Sequence, residues 1–95
     1  MMRTLLLMAL LLGAGAAFAA PKLMGQVNIN SASAQQLCLL PGIGPKRAEA
    51  IIALRERRPF RRAVQLRRIR GIGRRTMMKL KPYVRVDGET NLKRF

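Results

Sequence analysis

Apolar and polar positions alternate at Val27-Asn28-Ile29-Asn30 and then shift to helical spacings that run as far as Val84. The opening tetrapeptide reads as an extended entry. Ser33 with Gln36 three positions later fits a capping box, which predicts a first helix from near Ala34 to about Leu40. Pro41 and Gly42 end it. Pro45 suits the first turn of a second helix, whose Ala48, Ile51, Ile52 and Arg55 recur at helical spacing to about Arg57 before Pro59 stops it. Phe60 is an aromatic core anchor, and Ala63, Leu66 and Ile69 follow along a third amphipathic helix closed by Gly71. A fourth helix, from about Arg74 to Lys81, buries Met77 and Leu80; Pro82 breaks it and Tyr83-Val84 pack back. Residues after Val86 are polar and are expected to fray.

Within this pattern one unit occurs twice. Gly42-Ile43-Gly44 returns 29 residues later as Gly71-Ile72-Gly73, and at the same offset Leu37 matches Leu66, Leu40 matches Ile69, Lys46 matches Arg75, Ala48 matches Met77 and Ile51 matches Leu80. A repeat of this length indicates stacked supersecondary units. Each Gly-Ile-Gly is expected to form a tight turn whose glycines permit positive φ and leave the backbone bare, with the Ile pointing inward. Bare amides then open the following helix, where the positive end of its dipole also faces an incoming anion. The prediction is helix, hairpin, helix, twice, with a pseudo-twofold that sets both turns on one surface.

Charge sharpens the picture. The chain has 19 Lys and Arg against 4 acids, and between Lys46 and Lys81 the balance is 14 to 2, with Arg outnumbering Lys 11 to 3. So little compensation implies a polyanionic partner, and the planar fork of Arg suits phosphate oxygens. Lys46 and Arg47 open one helix and Arg74 and Arg75 another, where cations oppose the dipole by ~0.3–1 kcal/mol each. An anion seated at the turns accounts for that placement.

Met1 to Ala20 has Arg3 near its start, an apolar run from Leu5 to Leu12 and an Ala17-Phe18-Ala19 ending, the pattern of a secretory signal peptide. Its 16 uninterrupted apolar residues from Leu5 to Ala20 fall short of the ~20 that cross a bilayer. Cleavage after Ala19 and export are expected, with a membrane-anchored form as the alternative. The single cysteine, Cys38, lies among leucines and reads as a small half-buried hydrophobe. It allows no internal disulfide.

The residues carrying these signals resemble the helix-hairpin-helix domain of ComEA-type competence proteins. They are Val27-Asn28-Ile29-Asn30 with Ala32, Leu40-Pro41-Gly42-Ile43-Gly44, Ala48 with Ile51, Ile52 and Arg55, Pro59-Phe60, Leu66 with Ile69, Gly71-Ile72-Gly73 and Leu80-Lys81-Pro82-Tyr83-Val84. The resemblance implies an extracytoplasmic receptor for double-stranded DNA in transformation, held through the phosphate backbone, with DNA-uptake machinery as a possible partner. It places phosphate contacts on Gly42, Gly44, Lys46 and Arg47 and on Gly71, Gly73, Arg74 and Arg75, with Ile43 and Ile72 structural. The sequence departs from the family pattern where Arg57-Arg58 runs straight into Pro59, where Arg62 replaces a capping Ser or Thr, and where Arg74 takes a frequently acidic position.

The expected architecture is therefore all-α: a tandem helix-hairpin-helix of four to five short helices behind a signal peptide. Residues 1–19 are the signal, 20–26 a linker, 27–86 the DNA-binding domain and 87–95 a polar tail. The expected location is periplasmic, with a membrane partner only if the signal is retained. Catalysis has no obvious parts, because the chain has no His and only Glu49, Glu56, Asp87 and Glu89 as acids. Glu49 and Glu56 stand roughly 10 Å apart along a helix, too far for a two-metal site. No cofactor, metal or small-molecule substrate is expected. The rival class is a cell-envelope scaffold that docks an acidic protein through its helices; a membrane-active protein is disfavoured because the helices' apolar faces are committed to each other.

Overall fold

In a computed structural model, residues 22–95 are described; the expected signal peptide lies outside them. Ser33 starts the first helix as its pattern requires. Its Oγ accepts from the Gln36 N–H at 3.1 Å while Gln36 Oε1 accepts from the Ser33 N–H at 2.9 Å, giving helix α1 over Ala34–Leu37. This helix is shorter than expected. Beyond Leu37 the chain tightens into three-residue bonds, Leu39 N–H to Gln36 O and Leu40 N–H to Leu37 O, both 3.1 Å, and these turn it into the first Gly-Ile-Gly. Helix α2 spans Pro45–Arg57 with Pro45 in its first turn, and α3 spans Arg74–Leu80.

The expected third helix is a 3-10 helix over Ala63–Arg68. The spacing of Ala63, Leu66 and Ile69 is three, which a three-residue turn sets on one side. Arg62 offers no acceptor at its start, so Gln65 substitutes: its Oε1 accepts from the N–H groups of Arg61 at 2.7 Å and Arg62 at 3.2 Å. A second 3-10 turn, Lys81–Tyr83, follows α3.

Small strands depart from the all-α expectation. Strand β2, Val27–Asn28, pairs in parallel with β3, Val84–Arg85. Strand β1, Leu23–Met24, pairs antiparallel with β4, Lys93–Arg94. The frayed tail is thus corrected: Leu92 is buried in the core, Asn91 N–H donates to Gln26 O at 2.8 Å, and Phe95 N–H donates to Lys22 O at 2.8 Å. One apolar side chain with a core to enter and a backbone partner in residues 22–26 are enough to hold this polar segment down.

Two asparagines fasten the strands to the helices. Asn28, itself buried, donates from Nδ2 to Gly88 O at 2.7 Å and accepts from the Asn30 N–H at 2.9 Å. Asn30 Oδ1 accepts from the Phe60 N–H at 2.7 Å, and its Nδ2 reaches the carbonyls of Phe60 and Val86, each at 2.8 Å. These bonds fix the loop between α2 and the first 3-10 helix against the parallel strand pair. The core itself follows the repeat. Leu37 and Leu66, Leu40 and Ile69, Ile43 and Ile72, Ala48 and Met77, and Ile51 and Leu80 are all at most 7% exposed. Phe60 is buried beside them as expected.

Candidate nucleic-acid interface

The two Gly-Ile-Gly turns share one hydrogen-bond plan. Ile43 N–H donates to Leu40 O at 3.1 Å and Ala48 N–H to Gly44 O at 2.9 Å; 29 residues on, Ile72 N–H donates to Ile69 O at 3.0 Å and Met77 N–H to Gly73 O at 2.9 Å. The glycines divide their work differently from expectation. Gly42 and Gly71 have φ of +74° and +93°, the left-handed region that makes each turn possible. Gly44 and Gly73 have φ of −93°, which any residue adopts. A Cβ on either would meet nothing within 4 Å. Their distinction is surface: each opens a helix with no side-chain cap and with no acid in its first turn, so its backbone stands bare toward solvent.

The turns lie against each other. A Cβ on Gly42 would sit 3.4 Å from the Thr76 methyl, and one on Gly71 would strike the Arg47 guanidinium, 2.9 Å from its Cζ. Thr76 and Arg47 occupy the same place in the two copies, so each first glycine packs on the other copy's second helix. Arg47 does two things at once: it donates to Gly42 O at 2.7 Å and fills the space over Gly71. It is half-buried, whereas Gly42, Gly44, Lys46, Gly71, Gly73, Arg74 and Arg75 are exposed. All eight expected site residues therefore gather at the two adjoining turns, seven open and one engaged in joining them.

Other cations come to the same end of the molecule. A shallow depression of about 360 Å³ at the first turn is bounded by Gly42, Gly44 and Leu23 and also by Arg94. Another, of about 240 Å³ beside the second turn, brings Arg67 and Lys81 to Arg74 around Met77 and Met78. Arg94 was invisible to sequence pattern because only the β1–β4 pairing carries it there. Among the described residues, every arginine side-chain hydrogen bond to protein ends on a backbone carbonyl: Arg47 on Gly42, Arg55 on Ile29 and Ala32, Arg85 on Glu89. Among the described residues no group of three or more His, Cys, Asp or Glu stands where it could hold a metal ion, and no helix among them is long and apolar enough to cross a membrane.

Residues 24–85 match the helix-hairpin-helix motif family, and the chain belongs to it. ComE operon protein 1 of Bacillus subtilis (strain 168) is 39% identical over 61 residues, which cover 63% of this chain and 30% of that protein. An uncharacterized protein of Haemophilus influenzae is 45% identical over 56 residues, 57% of this chain and 50% of its own length. The chain thus spans half or less of these relatives. The resemblance to ComEA-type proteins is borne out by the first of them.

Proposed function

We propose that this chain is an exported binder of double-stranded DNA without sequence preference, acting as a DNA receptor in natural transformation. In this reading the fold is a tandem helix-hairpin-helix whose two turns each grip one backbone across the minor groove. Residues 1–19 are removed as a signal peptide, residues 27–86 form the DNA-binding domain, and the domain works in the periplasm. It binds and does not catalyse. The observation that carries the reading is the pair of adjoining turns whose second glycines, Gly44 and Gly73, leave open space where a side chain would stand. Phosphate oxygens approach bare amides there, with Lys46, Arg74 and Arg75 beside them and Arg47 holding the turns together.

Duplex is preferred over single strand because stacking platforms are scarce. Phe60 is buried and Tyr83 half-buried, which among the described residues leaves Phe95 as the exposed aromatic ring. Backbone contacts position without specifying sequence. The test is an electrophoretic shift on matched duplex and single-stranded oligonucleotides at several salt concentrations. With about 5 phosphates neutralised, log affinity falls with log salt at a slope of roughly −4 to −5. A slope near zero, or a preference for single strands, rejects the proposal.

A further inference from the structure

We propose that the end of the domain opposite the Gly-Ile-Gly turns is a second phosphodiester site, so that one molecule holds two DNA duplexes at once. The proposal rests on the duplex-binding reading above and adds a surface that reading leaves unused. Helix α2 has 13 residues and is therefore about 20 Å long. Its first turn faces the proposed duplex, so its last turn points away from it. The chain then returns through the 3-10 helix of Ala63–Arg68 to Gly71, which meets Arg47 beside the first turn. Arg57, Arg58, Arg61 and Arg62, all exposed, are left together at the far end.

Their position separates them from the first duplex. Salt screens charge over ~8–10 Å at ordinary ionic strength, and these side chains stand about twice that distance back along α2. Arg57 alone is explained by the negative end of the helix dipole. The others are not. Arg57, Arg58 and Arg68 line one cavity of about 110 Å³ with Phe60 and Gln65, and no carboxylate lines it. None of these arginines takes part in the guanidinium-to-carbonyl bonds that occupy Arg47, Arg55 and Arg85.

The frame beneath them is fixed. Phe60 is held through both its N–H and its carbonyl by Asn30, and Gln65 Oε1 holds the N–H groups of Arg61 and Arg62. Glu56, next to Arg57, is the one acid nearby in the sequence, so the cations outnumber it. Arg57, Arg58 and Arg68 around a cavity that no carboxylate lines, with Arg61 and Arg62 on the same pinned loop, suit a phosphodiester, whose oxygens take the fork geometry of Arg.

The experiment saturates a bead-tethered duplex with purified protein, washes, adds a fluorescent second duplex and measures the label retained. Wild-type protein is expected to capture the second duplex. Joint replacement Arg57→Gln, Arg58→Gln, Arg61→Gln and Arg62→Gln is expected to lower capture at least tenfold while changing affinity for a single free duplex less than threefold. That second measurement also reports that the variant is folded. The same four positions changed to Lys are expected to restore part of the capture. Wild-type protein that binds one duplex but never retains a second overturns this inference and leaves the function proposed above standing. Failure to bind any duplex overturns both. Undiminished capture by the Gln variant overturns it as well, assigning bridging to another surface. So does loss by that variant of binding to phosphatidylglycerol vesicles when the wild type retains no second duplex, which assigns the arginines to a lipid surface.

Discussion

Replacing the four turn glycines one at a time by alanine separates backbone geometry from ligand access. At Gly71 the φ of +93° costs an L-residue about 1–2 kcal/mol. The added Cβ also displaces the Arg47 guanidinium and with it the 2.7 Å bond to Gly42 O. For a half-exposed cation that bond contributes about 1 kcal/mol after screening. Gly71→Ala should therefore lose about 2–3 kcal/mol, which at ~4–8 °C per kcal/mol lowers Tm by roughly 10–20 °C. Gly42→Ala meets only the Thr76 methyl, at 3.4 Å, and should lose the backbone part alone, about 1–2 kcal/mol. Gly44→Ala and Gly73→Ala, at ordinary φ in open space, escape both of these costs and should lose only what alanine loses against glycine at a helix N-cap, under about 1 kcal/mol. Their effect should fall on DNA. A methyl between amide and phosphate weakens charge-assisted bonds, and about tenfold lower duplex affinity corresponds to ~1.4 kcal/mol. Thermal unfolding by circular dichroism and duplex titration by fluorescence anisotropy measure the two quantities on the same samples. Equal destabilisation at all four positions, or normal DNA binding by the double Gly44→Ala, Gly73→Ala variant, refutes the division of roles.

Asn30→Ala removes three side-chain hydrogen bonds, to Phe60 twice and Val86 once, and should lower stability by about 2–3 kcal/mol in urea unfolding. Leu92 is buried in the core, and Leu92→Ala should cost about 2–3 kcal/mol; an unchanged urea midpoint would return the segment after Val86 to a frayed tail. Arg47→Gln should lower Tm and weaken duplex binding together, whereas Lys46→Gln and Arg75→Gln should leave Tm within about 2 °C and each reduce the salt slope by about 1. Identical behaviour of the three variants would deny Arg47 its joining role.

The repeated half of this fold was readable because its rules are local or periodic. The five apolar pairs at an offset of 29 became the core, the Ser33–Gln36 box formed, and Pro45 opened α2. What stayed hidden depends on long-range pairing between polar groups. Asn28 and Asn30 could be quoted as part of a motif, but their bonds to Phe60, Val86 and Gly88 span 30 to 60 positions and leave no periodic trace. The same applies to β4, where one leucine in a polar stretch anchors a strand that brings Arg94 to the first turn. Three apolar positions at a spacing of three fit an α-helix and a 3-10 helix alike, so the pattern of Ala63, Leu66 and Ile69 predicts a helix without fixing its type; Arg62, unable to accept an N–H, is the signal that the ordinary start is missing. At the site, residue type announced the charge of Arg47 and concealed its use, since only the folded contact shows it over Gly71.

That contact makes the two halves unequal partners in setting one gap. A long cationic side chain from the first copy spans the seam, and the second copy answers with a short threonine. The spacing between the turns is consequently set by a side chain as well as by the backbone. Prising the jaws apart or sliding them together must break the Arg47 tie to Gly42 or empty its seat over Gly71, so the opening resists change by about what that one contact is worth.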